Sequence, residues 1–262
     1  MEFRDVRRLT GIGITPYRIT GAAPGTHIGL PSPTITLIVD LGTGLTLSTR
    51  DDQMRTFRVA VGGMHLQPVT IHHDGTQIGV ALDLTPAALR TILGVRAGDL
   101  CATNLDLADL DPALARRLHD ELGDVPDAVR ADLCARLIGE MLAAGTAAAA
   151  PEDARLMWAL LARRRGRISV AELAERSGWS PRRLTALFTA EYGMGPKRAA
   201  RLFRFDHARR RLETGHPIAE VAALCGYADQ AHLTREVGDF TGHPPAEFLT
   251  IRAAEFAGAD RC

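Results

Sequence analysis

The 262-residue sequence lacks the marks of several protein classes. Its four cysteines, Cys101, Cys134, Cys225 and Cys262, form no Cys-x-x-Cys pair and keep no regular spacing. Neither a zinc cage nor a disulfide framework is therefore written in the chain, and a reducing compartment is expected. No apolar run approaches the roughly 18 residues of a membrane-spanning helix, and Met1 is followed at once by Glu2, Arg4, Asp5, Arg7 and Arg8, unlike a secretory signal. A cytoplasmic protein with no membrane partner is expected. Lysine is nearly absent, Lys197 being the only one; arginine richness of this kind can follow genome composition as easily as phosphate recognition. Net charge is zero, but unevenly divided: residues 163–252 hold about 16 Lys/Arg against about 10 Asp/Glu, and the remainder is acidic by the same margin. With 46% apolar and 24% charged residues, a chain of this length can bury a real core and favours two domains over one.

From Thr34 to Thr85 the pattern is short and strand-like. TITLIVDL, GLTLS, TFRVAVGG, PVTIHHD and QIGVALDLT alternate or run apolar between Gly, Pro and Asp-Gly breaks, as in a sandwich or barrel. Asp74-Gly75 carries the signal of a tight hairpin between two of these strands. After Pro86 the period becomes helical, in PAALRTILG, in DPALARRLHDELG with Asp111 as N-cap and Gly123 just past the end, and in a helix from Val125 to Ala144. The last places Leu133, Leu137, Ile138, Met141 and Leu142 on one side, a stripe suited equally to covering the barrel and to pairing with a second chain. The run Ala147–Ala150, closed by Pro151, is the best boundary. Residues 1–146 are thus expected to form a β-rich ligand-sensing domain whose helical end serves either the barrel or dimerisation, 147–152 a linker, 153–252 an all-α domain, and 253–262 a flexible tail. Asp153 to Arg165 offers Leu156, Met157, Leu160 and Leu161 as an apolar stripe closed by Gly166.

Within the helical part the chain repeats itself. AELAERSGW (171–179) returns 48 residues later as AEVAALCGY (219–227). In each copy a short helix carries apolar residues on one face, a small residue (Ala174 or Ala222) allows a close helix crossing, Gly178 or Gly226 supplies a tight turn, and an aromatic residue precedes a new helix. That is helix-turn-helix grammar. Ser180 is a natural N-cap and Pro181 a natural N1 residue for the second helix of the first copy; Leu184, Leu187, Phe188 and Tyr192 face inward, leaving Arg182, Arg183, Thr185, Ala186 and Thr189 outward. In the second copy Leu233, Val237 and Phe240 face inward, leaving Asp229, Gln230, Ala231, His232, Thr234 and Arg235 near the exposed N-terminal turns. Such faces fit the major groove of double-stranded DNA, where Arg bonds guanine, Gln bonds adenine, and Thr or Ala methyl groups meet thymine. Ser180, the helix N-termini and nearby arginines suit phosphates. Between the copies, PKRAARLFRFDHARRRLETG reads as one long helix from Pro196 to Gly215, a spacer of fixed length. Two such prongs could enter successive major grooves about 34 Å apart.

Residues 153–249 resemble the AraC/XylS family of transcription regulators. The carriers are AELAERSGWSPRRLTALFTAEYG, the Arg204-x3-Ala208-x3-Leu212 pattern, and AEVAALCGYADQAHLTRE followed by Gly242-x-Pro244. The resemblance implies base-facing positions at Arg182, Thr185 and Ala186 and at Gln230, Ala231, His232 and Arg235. It implies a cupin-like N-terminal sensor for a small-molecule effector, an operator or promoter as target, RNA polymerase as a further partner, and a homodimer. Val237 stands where the family usually has an aromatic residue, and Gly238-Asp239 where it has polar or basic ones. The fold class expected is α+β with two domains: an N-terminal β-barrel of cupin-like type with following helices, then an all-α domain of two helix-turn-helix units joined by a long helix.

No nucleophile constellation or cofactor motif is defensible from spacing, so an enzyme is not expected and no cofactor is implied. His72 and His73 are adjacent in a strand and point to opposite faces, so only one can look inward with His27 or His65. His27 and His72 are candidate effector contacts; the His-x-His-with-Glu pattern of metal-dependent cupins is missing, so no metal is expected. The alternative reading is a cupin-like small-molecule-binding protein or enzyme whose helical half serves assembly.

Overall fold

The structure, a computed structural model, describes residues 7–48 and 53–255. The last seven residues of the expected tail lie outside the described residues. Among the described residues, ten strands form two antiparallel sheets. The first runs β1 (Arg7–Leu9), β2 (Ile12–Ile19), β9 (Gln77–Leu84), β4 (Ile35–Asp40), β7 (Val59–Gly62) and β10 (Asn104–Asp106); the second runs β3 (Gly25–Gly29), β8 (Val69–His73), β5 (Leu45–Ser48) and β6 (Met54–Phe57). Strand alternation divides the six-stranded sheet into two working faces. Ile35, Leu37 and Val39 are buried toward helices α2 (Pro112–Gly123) and α3 (Asp127–Ala144) in the main core, while Ile38 and Ala60 join Leu45, Leu47 and Phe57 in a smaller cluster between the sheets.

Four of the five expected strands of Thr34–Thr85 form, whereas TFRVAVGG breaks at Arg58 into the end of β6 and β7, which join different sheets, and β1, β2, β3 and β10 lie outside that stretch. Gly13 and Pro16 disguise β2 as loop, yet both hold their places in the ladder with β9, opposite Asp83 and Val80. The Asp74-Gly75 hairpin does not form. Strand β8 pairs with β3 and β5, whereas β9 pairs with β2 and β4, so the turn carries the chain from one sheet to the other. Asp74 Oδ1 accepts from Thr76 N at 2.9 Å, and Gly75 at φ 100° passes so close to Ala22 O that a Cβ would sit 2.1 Å from it.

Helix α1 (Pro86–Leu93) is capped by Thr85, and α2 by Asp111, whose carboxylate accepts from Leu114 N; Gly123 is its last residue. The apolar stripe of α3 packs on its own barrel, with Cys134, Leu137 and Ile138 buried and Arg7 and Arg18 of the first strands paired to Asp132 and Asp127. After an irregular stretch at residues 145–151 every element is helical: α4 (Glu152–Arg163), α5 (Val170–Ser177), α6 (Pro181–Tyr192), α7 (Pro196–Glu213), α8 (Ile218–Cys225), α9 (Gln230–Thr241) and α10 (Pro245–Glu255). In α4 the inward phase is Ala154, Met157 and Leu161, and Leu156 is 60% exposed. The small Ala154, not a fourth leucine, sets the register. Among the described residues, no helix is long and apolar enough to cross a membrane.

The two halves are in intimate contact. Arg90 of α1 donates from Nη1 to both carboxylate oxygens of Glu191 in α6 (2.9 and 3.1 Å) and from Nε to Ala148 O at 2.7 Å. Gly98 packs backbone to backbone on the end of α6, where a Cβ would meet Gly193 N at 2.9 Å.

Candidate nucleic-acid interface

Both repeats fold as helix, tight glycine turn, helix. In the first, Ser169 caps α5 by accepting from Glu172 N; Leu173 and Ala174 are buried, and Gly178 closes the helix at φ 69°. Ser180 then caps α6, accepting from Arg183 N, with Pro181 in the first turn. In the second, Val221 and Ala222 are buried, Gly226 turns at φ 76°, and Asp229 caps α9 by accepting from His232 N at 2.7 Å. Only glycine adopts such φ values without strain. Helix α7 lies between the units, anchored by Ala199, Leu202, Phe205, Ala208 and Leu212, all buried.

Ser180, Pro181, Arg182, Arg183, Thr185 and Ala186 are all exposed, and in the second unit so are Asp229, Gln230, Ala231 and Arg235. Arg183 lies flat over Trp179, 3.2 Å from the ring centre, which fixes its guanidinium beside the turn. Arg235 donates from Nε to Ala231 O at 3.3 Å, leaving its other donors toward solvent. His232 and Thr234 are half-buried. His232 Nδ1 accepts from Ala228 N at 3.4 Å, and its ring stands edge-on to Tyr227 at 5.2 Å. Asp229 is committed to its cap, a carboxylate at the positive end of a helix dipole.

The least expected residue is Glu236, 3% exposed on the inner side of α9. It accepts from Arg201 Nε (2.9 Å), Arg204 Nε and Nη2 (3.1 and 3.0 Å) and Tyr227 OH (3.1 Å). Burial works against the two guanidinium charges, but the hydrogen bonds and charge of Glu236 hold both arginines above their ordinary pKa. Burial and then Glu236 raise Tyr227, which keeps its phenol protonated as a donor. The cluster fastens the second recognition helix to α7. Its signal was present in the sequence, because Leu233, Glu236, Val237 and Phe240 share one i, i+3, i+4, i+7 face, and a carboxylate on a buried face requires cations opposite. Arg201 also pairs with Asp239 at 2.7 Å. Arg209, Arg210 and Arg211 are likewise spent internally, on Asp206, Glu213 and His207.

The candidate histidines separate. His72 Nε2 lies 2.8 Å from Ser48 Oγ. His27 stands 5.5 Å from the His73 ring and lines a cleft between barrel and helices with Arg209, Glu213 and Arg252. Burial, then His73 and Arg252, push its pKa down to about 4. Among the described residues no group of three or more His, Cys, Asp or Glu side chains could hold a metal ion.

Two exposed, capped helices on glycine turns, joined by a buried strut, define a double helix-turn-helix protein. Residues 173–251 match the family model described as a helix-turn-helix domain. Over 80 residues the chain is 34% identical to an HTH-type transcriptional regulator of Mycobacterium tuberculosis, covering 30% of this chain and 31% of that protein. Over 88 residues it is 31% identical to an uncharacterized HTH-type transcriptional regulator of Staphylococcus aureus, covering 33% of this chain and 12% of that protein. The matches thus span a third or less of these relatives. ToxT from Vibrio cholerae superposes over 93% of this chain and 98% of its own with a TM-score of 0.55 at 11% identity, showing that the two-domain fold is shared.

Proposed function

We propose that this chain is a sequence-specific DNA-binding transcription regulator governed by a small molecule held in its N-terminal half. The observation that carries the reading is the duplicated unit itself, with Arg182, Thr185 and Ala186 on one exposed helix face and Gln230, Ala231 and Arg235 on the other. In this reading those side chains and His232 meet base edges, while Ser180, Pro181, Arg183, Asp229 and Thr234 set the helix ends against the backbone. The regulator works in the cytoplasm, as a homodimer, with RNA polymerase as a further partner, and performs no catalysis.

The sensing half supports the second part of the reading. A cavity opens between its sheets, and the cleft that shares Leu30, Thr36, Ile38 and Leu45 with it reaches Arg209, Glu213, Leu249 and Arg252 of the helical half. ToxT has been solved with an unsaturated fatty acid and with a naphthalenyl butenoic acid bound, which supports reading the cavity of this chain as a ligand site. An occupant that favours one packing of the two halves would shift DNA affinity by its differential affinity for the two packings.

Selection from a random duplex library with the full chain tests the proposal. The expected product is two motifs about one helical turn apart, bound with an affinity that falls steeply with salt. Absence of any enriched sequence would refute it.

A further inference from the structure

The cavity between the sheets has a volume of about 180 Å³. Leu30, Ile38, Leu45, Leu47, Val69 and Ile71 make most of its wall apolar. One place differs. Thr36 on β4 pairs with Gly62 on β7, and Gly62 pairs with Asn104 on β10, so the three residues form a single row across the sheet, and all three line the cavity. Among the described residues the Thr36 hydroxyl has no hydrogen-bond partner. Asn104 Oδ1 lies 3.1 Å from His65 Nε2, whereas its Nδ2 is buried with no partner. Burial lowers the His65 pKa, which favours the neutral ring. Gly62 leaves a gap between the two polar side chains; a Cβ there would come 3.3 Å from Asn104 Oδ1. A buried donor without an acceptor is costly in a finished core. The polar row in an otherwise apolar wall, with the gap over Gly62, marks a place for a ligand hydroxyl.

Resting on the sensor reading above, we propose that this cavity binds a small neutral alcohol or phenol, its apolar body held between the sheets and its hydroxyl seated over Gly62, accepting from Thr36 Oγ1 and donating to Asn104 Oδ1, the amide atom that faces the gap. A hydroxyl both donates and accepts, so it serves both neighbours. The volume suits one ring: an apolar protein cavity of about 150 Å³ takes benzene. A carboxylate is disfavoured. Among the described residues lining the cavity there is no Arg, Lys, Asp or Glu, and an anion would be desolvated without a counter-charge. The nearby cations line the adjoining cleft and not this cavity, Arg209 pairing through its Nη atoms with Asp206 and Glu213 while its Nε has no partner, and Arg252 pairing with Glu213.

Titration of the full chain with benzyl alcohol, toluene and benzoate, followed by calorimetry or ligand-observed NMR, tests the assignment. Benzyl alcohol is expected to bind at least as tightly as toluene, although transfer from water favours toluene, and benzoate is expected not to bind. Thr36→Val, which preserves shape, is expected to weaken benzyl alcohol about fivefold, the worth of one hydrogen bond, with toluene unchanged or improved. Gly62→Ala closes the gap and is expected to do the same. Toluene preferred in the wild-type chain, benzoate bound as tightly as the alcohol, or equal losses for alcohol and toluene in Thr36→Val would each overturn the assignment; the wild-type comparison needs no variant to fold. If DNA selection succeeds and no probe binds, this inference fails and the regulator stands. Alcohol binding without any selected DNA site means the reverse.

Discussion

Glu236 offers the sharpest test of how the second recognition helix is held. Its carboxylate is 3% exposed and takes four hydrogen bonds, three of them from guanidinium groups. The Arg204 side chain is itself only 18% exposed, so removing the carboxylate strands a largely buried cation. Loss of one member of such a buried pair costs about 3–5 kcal/mol. Arg201, at 38% exposed, recovers hydration and contributes little to that figure. Glu236→Gln keeps the shape yet turns an amide donor toward arginine donors, and is expected to lose about 3 kcal/mol. At about 2–4 °C per kcal/mol for a unit of this size, that is a fall in Tm of roughly 10 °C, read by calorimetry or circular dichroism. DNA affinity should fall with it, because α9 loses its fastening to α7. A double variant, Glu236→Leu with Arg204→Met, should recover most of the stability, since a packed apolar pair often replaces a buried ion pair without loss. A Tm within about 1 °C of wild type for Glu236→Gln would refute the reasoning, as would a double variant no better than the single.

Three further outcomes are expected. Arg235→Ala should weaken operator binding by about 1–3 kcal/mol and relax preference at one base position; a gel-shift titration with unchanged affinity and specificity would remove Arg235 from the interface. Arg90→Ala leaves the buried Glu191 carboxylate without its cation and should cost about 3 kcal/mol in urea unfolding, together with faster proteolysis at residues 145–151; a loss below about 0.5 kcal/mol would show that the halves are held otherwise. His27 has a folded pKa lowered to about 4 against an ordinary 6.5. The unfolded chain therefore binds the extra proton between those values, and stability should decline as pH falls from 6.5 toward 4, by at most about 1.4 kcal/mol per unit. His27→Gln should flatten that slope, and a variant with the wild-type pH profile would exclude His27 as its source.

What could be read in the sequence was what neighbouring residues decide together. Caps at Asp111 and Ser180, the turns at Gly178 and Gly226, and the inward phases of α6 and α9 depend on side chains within one or two helical turns, so the repeat and its exposed faces were legible before any fold was known. The same local logic failed where a distant element supplied the missing condition. Asp74-Gly75 has hairpin chemistry, but β8 and β9 find their partners in different sheets. In α4 the neighbours of Ala154 set the phase, and the cations that the inward face of Glu236 calls for, Arg201 and Arg204, come from more than thirty residues away.

The sequence by itself thus determined two helix-turn-helix units on a strut and a strand-rich half before them. Tertiary structure alone decided that Thr36, Gly62 and Asn104 share one row, that Arg90 grips Glu191, and that a cleft joins the barrel to α7 and α10. Strand register and domain docking are set by burial summed over residues far apart in the chain, and no short window of sequence contains that sum.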